Sequence, residues 1–206
     1  RKTLKAADKI IADTRAHAKY FSEELGADPG KIQVMYLEAD TSIYYPHQIE
    51  KPEQAKGKYT VLYFGSILPL QGVDIVLEAA ERLKDRTDIC FYIIGPIGEK
   101  MTKPSGPNIH YIQWLSQEKL SDYIAFSDLC LAGHFNKEIN KAKRTIPGKA
   151  YIYRAMEKPM ILGENPANHE LYSEKEPGIS FVEMGSGKKL AEKILECKDQ
   201  NSRWRK

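Results

Sequence analysis

YTVLYFGSILPLQGVDIVLEAAERLKDRTDICFYIIG, residues 59–95, decides the fold. It opens on YTVLYFG, an apolar run rich in β-branched and aromatic residues that stops at Gly65. Such a run reads as a strand buried on both faces. GVDIVLEAAERLKD follows, placing Val73, Val76, Leu77, Ala80 and Leu83 on one helical face. ICFYIIG is a second apolar run, again closed by glycine at Gly95. Two wholly apolar strands joined by an amphipathic helix predict parallel neighbours in a sheet covered on both sides.

The same alternation continues downstream. IHYIQ (109–113) predicts a short strand, SQEKLSDYIAF (116–126) a helix with Ser116 as N-cap and Glu118 in its first turn, and DLCLAG (128–133) a further strand. Helix GKAYIYRAME, strand PMILG, a short helix around Ala167 to Tyr172, strand GISFVE and a last helix from Gly187 to Cys197 complete the pattern. The expected fold class is α/β, a doubly wound parallel sheet over residues 59–206, with ligands gathering at the carboxyl ends of the strands. Glycines at those ends let a backbone or a ligand come close.

Residues 1–58 read differently. KIIADT, helix RAHAKYFSEELG and strand KIQVMYL form one more strand–helix–strand unit, with Asp13 or Thr14 as helix cap and Gly26 as its stop. Residues 38–58 are polar, contain Pro46 and Pro52, and predict a linker. The RWRK terminus predicts a frayed basic tail. The chain starts at Arg rather than Met, which fits a piece of a longer protein.

Composition narrows the function classes. With 42% hydrophobic and 29% charged residues the chain carries enough apolar material for a substantial core. A net charge of +3 without a concentrated basic stripe argues against nucleic acid as a partner. Cys90, Cys130 and Cys197 are scattered and odd in number, so reduced thiols and a cytoplasmic location are expected. Neither a membrane-spanning run nor a signal-peptide pattern is present in the sequence. The five histidines have no metal-ligand spacing, so no metal site is expected.

RTIPGKAYIYRAMEKPMILG, residues 144–163, points to the chemistry. It sets Lys149 at the mouth of a helix, where a cation opposes the helix dipole. A solvated loop lysine is the bland reading; a point charge that meets phosphate oxygens is the sharper one, with Arg144, Lys141 and Lys143 close in sequence. GSILPLQG (65–72) is a strand-to-helix turn whose Gly72 and Val73 amides open a helix, an anion site that needs no cation. Gln113 and Trp114, past a strand end, are either contacts for a nucleobase or core. His134, after DLCLAG, is either a sugar or phosphate contact or a solvated loop residue. Glu170 reads as a surface or helix-packing charge.

The order of these pieces resembles the group 1 glycosyltransferases of the GT-B fold (glycosyltransferase family 4-like) over nearly the whole chain. ADKIIADTRAHAKYF is similar to the last elements of that family's acceptor-binding domain, and KIQVMYLEADTSIYYP to its crossing into the donor-binding domain. LYFGSILPLQGVDIVLEAAERL, FYIIGPIG, IHYIQWLSQEKLSDYIAFSDLCLAG and IPGKAYIYRAMEKPMILGENPANHELY follow in the family's order. The resemblance implies a Rossmann-like donor-binding domain at 59–206 and, at 1–58, the tail of an amino-terminal acceptor domain with a linker. It also implies a nucleoside diphosphate-sugar as substrate, no metal cofactor, and a glycan or lipid-linked acceptor, as in polysaccharide biosynthesis. That acceptor would be held by the missing amino-terminal domain, and the basic termini point to a peripheral association at the inner membrane face. Donor and phosphate contacts are then expected from Gly65, Ser66, Gln71, Gly72, Arg144 and Lys149, and nucleotide or sugar contacts from Gly95, Gln113, Trp114 and His134.

The chain departs from the family in two places. The family's Gly-Arg, four residues, Lys-Gly pattern reads here with Ser66 at the Arg position and Gln71 at the Lys position. Its two glutamates, separated by seven positions, fall on Arg144 and Ile152, and Glu138 is the acid that a different loop path would bring to the first of them. The catalytic residues therefore stay unassigned, and an isolated donor domain is expected to turn over little or nothing. A non-catalytic nucleotide-binding or scaffold domain of the same fold stands as the alternative. A sugar-nucleotide epimerase fits less well, for want of acid–base carboxylates.

Overall fold

A computed structural model describes residues 2–66 and 68–204. After a first helical turn, α1 (Lys2–Ala6), come strand β1 (Ile10–Ala12), helix α2 (Arg15–Glu23) and strand β2 (Ile32–Val34). The larger unit follows as β3 (Tyr59–Phe64), α3 (Val73–Arg82), β4 (Ile89–Ile94), β5 (Ile109–Ile112), α4 (Gln117–Phe126) and β6 (Leu129–Gly133). It ends with α5 (Gly148–Ala155), β7 (Met160–Gly163), β8 (Ile179–Val182) and α6 (Gly187–Trp204).

Strands β3 to β8 form one six-stranded sheet in the order β5-β4-β3-β6-β7-β8, with every pairing parallel. This is the doubly wound α/β architecture that the apolar strands predict. The reason lies in the alternation along β3: Val61 and Tyr63 enter the apolar cluster containing α3 and α6, while Leu62 enters the one containing α4 and α5. A strand apolar on both faces needs helices on both, and each buried aliphatic side chain contributes roughly 1.5–3 kcal/mol. In α3 the five residues expected on one face, Val73, Val76, Leu77, Ala80 and Leu83, are all buried.

The order reverses between β3 and β6. From β3 the chain passes to β4 and β5 on one side; from β6 it passes to β7 and β8 on the other. The loops leaving the two strands therefore diverge and open a crevice at their carboxyl ends.

The amino-terminal unit is a parallel pair, β1–β2, in register Ile10↔Ile32. Both strands are shorter than the expected runs; beyond the second, the Met35 N–H still donates to the Ala12 carbonyl. Thr14 rather than Asp13 caps α2, its hydroxyl accepting from the His17 N–H at 3.0 Å. Residues 38–58 are no loose tether. Tyr44 and Ala55 are buried in the sheet's core, and the Lys51 ammonium bonds the Asp128 carboxylate and, at 2.9 Å, the Lys58 carbonyl. The short helix expected at 167–172 is a single 3-10 turn at Asn168–Glu170. The last helix runs beyond Cys197 to Trp204, so the expected fray at 203–206 is helical backbone at its start; Arg205 and Lys206, like Ile67, lie outside the described residues.

The two units are joined by a carboxylate. Glu170 accepts from the Arg15 and Ala16 N–H groups, both at 2.7 Å, and from the Tyr36 hydroxyl at 2.8 Å. It thus satisfies orphan donors at the start of α2 from across the fold, where negative charge also complements the helix dipole. Thr14 donates its hydroxyl proton to the Arg144 carbonyl, and the Arg144 guanidinium lies 3.6 Å from the centroid of the Tyr20 ring. Glu170→Ala is expected to expose the Arg15 and Ala16 amides to faster hydrogen exchange and to weaken docking of α2 by about 2 kcal/mol, the scale of hydrogen bonds to a charged acceptor. Unchanged exchange at both amides would show that the carboxylate does not hold the helix.

Candidate functional site

The crevice at the switch point is a cleft of about 410 Å³. Its floor depends on two glycines at adjacent strand ends. A Cβ on Gly95, whose φ is +118°, would stand 1.9 Å from the Gly65 carbonyl oxygen. A Cβ on Gly65 would stand 2.1 Å from Gln71 Oε1 and 2.9 Å from Lys149 Nζ. No other residue type fits either position without moving the groups that shape the cleft.

Lys149 is the second residue of α5 and only 6% exposed. Its Nζ donates to Gln71 Oε1 at 3.0 Å and lies 4.0 Å from the Tyr63 ring centroid and 5.6 Å from that of Phe64. Ring faces attract an ammonium. Among the described residues Lys149 forms no ion pair. Burial alone lowers its pKa from the ordinary lysine value to about 7. Gln71 is held from both ends: its Oε1 also accepts from the Tyr63 hydroxyl at 3.2 Å, and its Nε2 donates to Ser66 Oγ at 3.2 Å.

His134 forms another wall, 6% exposed, with a buried Nδ1 that has no hydrogen-bond partner among the described residues. Burial, then the charges of Lys149 and Lys141, lower its pKa to about 3, so the imidazole is neutral. At the start of α5, Pro147 supplies no side-chain cap, and a Cβ on Gly148 would meet no atom within 4 Å. Open space therefore lies before a helix N-terminus with uncapped amides, an arrangement suited to an anion. The opposite wall is apolar, with Ile94, Leu115 and Leu120 beside Gln113 and Trp114. Trp114 is 77% exposed, so it is not core.

Eight of the ten residues singled out in the sequence line this one cleft: Gly65, Ser66, Gln71, Gly95, Gln113, Trp114, His134 and Lys149. Gly72 and Arg144 do not. Gly72 is buried, at φ +71°, and a Cβ there would be 2.8 Å from the Asn136 N–H nitrogen and Phe135 Cβ, so the start of α3 is pressed under the loop after β6. Arg144, expected to supply charge beside Lys149, is committed instead to Tyr20 and the start of α2. Glu138 is exposed and also lies outside the lining, and Ile152 packs against the apolar cluster of α4 and α5. Tyr63, Phe64 and Gly148 join the site without a motif of their own in the sequence, although the two aromatics end a strand whose next residue is a site glycine. The described lining contains no carboxylate, and no group of three or more His, Cys, Asp or Glu among the described residues could hold a metal ion. No described helix is long and apolar enough to cross a membrane.

Known proteins agree with this architecture. A D-inositol 3-phosphate glycosyltransferase from Nocardioides is 24% identical over 164 residues, covering 65% of this chain and 35% of the relative. One from Mycobacterium bovis is 32% identical over 104 residues, covering 48% of this chain and 21% of the relative. The chain thus spans about a third or less of the length of these relatives. Among solved structures, Anabaena Alr3699/HepE in complex with UDP and glucose superposes with a TM-score of 0.72 at 15% identity, over 98% of this chain and 58% of that one. Sucrose-phosphate synthase from Thermosynechococcus elongatus superposes with a TM-score of 0.73 at 15% identity, over 95% and 50%. At such identities the likeness is one of fold, that of the GT-B glycosyltransferases. The family model for glycosyl transferases group 1 matches residues 58–200, the whole sheet with its cleft, and the chain belongs to that family.

Proposed function

We propose that this chain carries the donor-binding half of a glycosyltransferase that takes a sugar from a nucleoside diphosphate carrier. The observation that carries the reading is Lys149, a buried ammonium without a counter-ion among the described residues that faces an open cleft at the sheet's switch point. The diphosphate sits between Lys149 and the uncapped start of α5, and the nucleobase lies along the apolar wall beside Gln113 and Trp114. HepE, whose fold this chain shares, has been solved with UDP-glucose, which supports a donor of that chemical class.

The chemistry is departure of the diphosphate from the anomeric carbon. Negative charge grows on the leaving oxygen, and a preorganised ammonium with aligned amide dipoles stabilises it most where water is excluded. This needs no metal ion. With no carboxylate in the described lining, any base that activates the acceptor hydroxyl comes from elsewhere, as does the site for a glycan or lipid-linked acceptor. One set of observations favours a non-catalytic nucleotide-binding or scaffold domain instead: Ser66 and Gln71 are neutral, Ile152 is apolar, and Arg144 is turned away.

Calorimetric titration with UDP-glucose and a panel of nucleoside diphosphates tests the reading. Binding is expected, weakened about 10- to 100-fold by Lys149→Ala, the worth of a hydrogen bond to a charged group. No heat with any of them would favour the scaffold. Stability supplies a second test. Between about pH 7 and the unfolded value near 10.5, the unfolded chain holds a proton on Lys149 that the folded chain lacks, so stability rises with pH there. Lys149→Met is therefore expected to raise Tm below about pH 7 by several degrees, at roughly 2–4 °C per kcal/mol. That gain should shrink as the pH rises towards 10, as differential scanning calorimetry would register; a Tm lowered at every pH would make Lys149 a structural residue.

A further inference from the structure

Lys149 is surrounded by groups that cannot neutralise it. Tyr63 and Phe64 from β3 present ring faces, and the Tyr63 phenol is kept protonated by burial and then by the charge of Asp74. From the loop after β3 come the Gln71 amide and the Ser66 hydroxyl. From the loop after β6 comes His134, neutral, with Lys141 adding positive charge nearby. Within α5 itself the nearest titratable neighbour along the chain, Tyr151, is held protonated by burial. Among the described residues Gln71 Oε1 is the hydrogen-bond acceptor of the ammonium; the Tyr63 and Ser66 hydroxyls hold its amide in place, and the ammonium's own N–H selects the orientation with the oxygen towards Nζ.

We propose that Gln71 is a positioning residue that keeps Lys149 aimed into the cleft without compensating its charge, so that a diphosphate diester binds there together with a proton. This rests on the donor reading above. A neutral acceptor leaves the lysine free to titrate, whereas a carboxylate at the same place would keep it an ammonium before any ligand arrives and would repel the incoming phosphate. Without ligand the ammonium gives up its proton to solvent near neutrality and becomes the amine; the phosphate's charge, arriving within hydrogen-bond distance, draws a proton back onto it from solvent.

The probe is UDP-glucose, because both of its phosphates are esterified and neither titrates near neutral pH. Calorimetry in two buffers of different ionisation enthalpy should detect about one proton taken up per UDP-glucose near pH 8.5, and little near pH 6. Affinity should fall about tenfold per pH unit above neutrality. Gln71→Glu should abolish both the uptake and the slope, and weaken binding at pH 6 about tenfold. Nitrogen-detected NMR of lysine Nζ in the unsubstituted chain gives an independent readout: one lysine titrating near neutrality, moved up by at least two units when UDP-glucose is added. Binding with pH-independent affinity and no proton uptake would overturn the inference and leave the donor reading intact. Failure of UDP-glucose and of every nucleoside diphosphate in the panel to bind at any pH would overturn both.

Discussion

The parallel pairing of β3 with both β4 and β6 is the constraint on which the rest depends. β3 is locked in register along its whole length with β4, Tyr59↔Ile89 through Phe64↔Ile94, and at Val61↔Leu129 and Leu62↔Cys130 with β6. Because the chain leaves β3 in one direction along the sheet and β6 in the other, a cleft stays open at the strand ends, although the loops after β3 and β6 meet beside it, where the Phe135 N–H donates to the Gln71 carbonyl. The cleft is thus a consequence of strand order, and the residues that line it are those that the order leaves at its rim.

Charge is distributed unusually around that rim. Most buried lysines are paired, because an isolated ammonium in a low-dielectric interior is costly. Here Lys149 has an amide oxygen, two ring faces and a helix N-terminus, the last of which opposes it. Lys51, also drawn inward, received a carboxylate in Asp128 and serves the packing of the 38–58 segment. The contrast between these two lysines separates a cation that stabilises the fold from one that the fold tolerates.

Much of the larger unit was legible because its signals are local. YTVLYFG and ICFYIIG declare themselves as strands by composition, and the helical face of α3 by periodicity. Glycines 65 and 95, as strand stops, mark the edge where the cleft opens. The rest is set by partners distant in sequence. Nothing around Arg144 announces that its guanidinium stacks on Tyr20, more than a hundred residues upstream, and a cation in a basic stretch is read by default as a ligand. Glu170 bonds amides 154 and 155 positions away, and a pattern in one dimension carries no trace of such a cap. The prolines and polar residues of the 38–58 segment predict a linker, yet one tyrosine inserted in the core and the partly buried Lys51–Asp128 ion pair fix it.

The solvated indole at the mouth of the cleft has a practical consequence. With two tryptophans in the chain, Trp204 can be replaced to leave Trp114 as the sole strong emitter. An indole so hydrated fluoresces at long wavelength, and a ring laid against it would quench or blue-shift that emission. The protein therefore carries its own optical reporter at the wall where an aromatic base would lie, and occupancy there can be followed without any label.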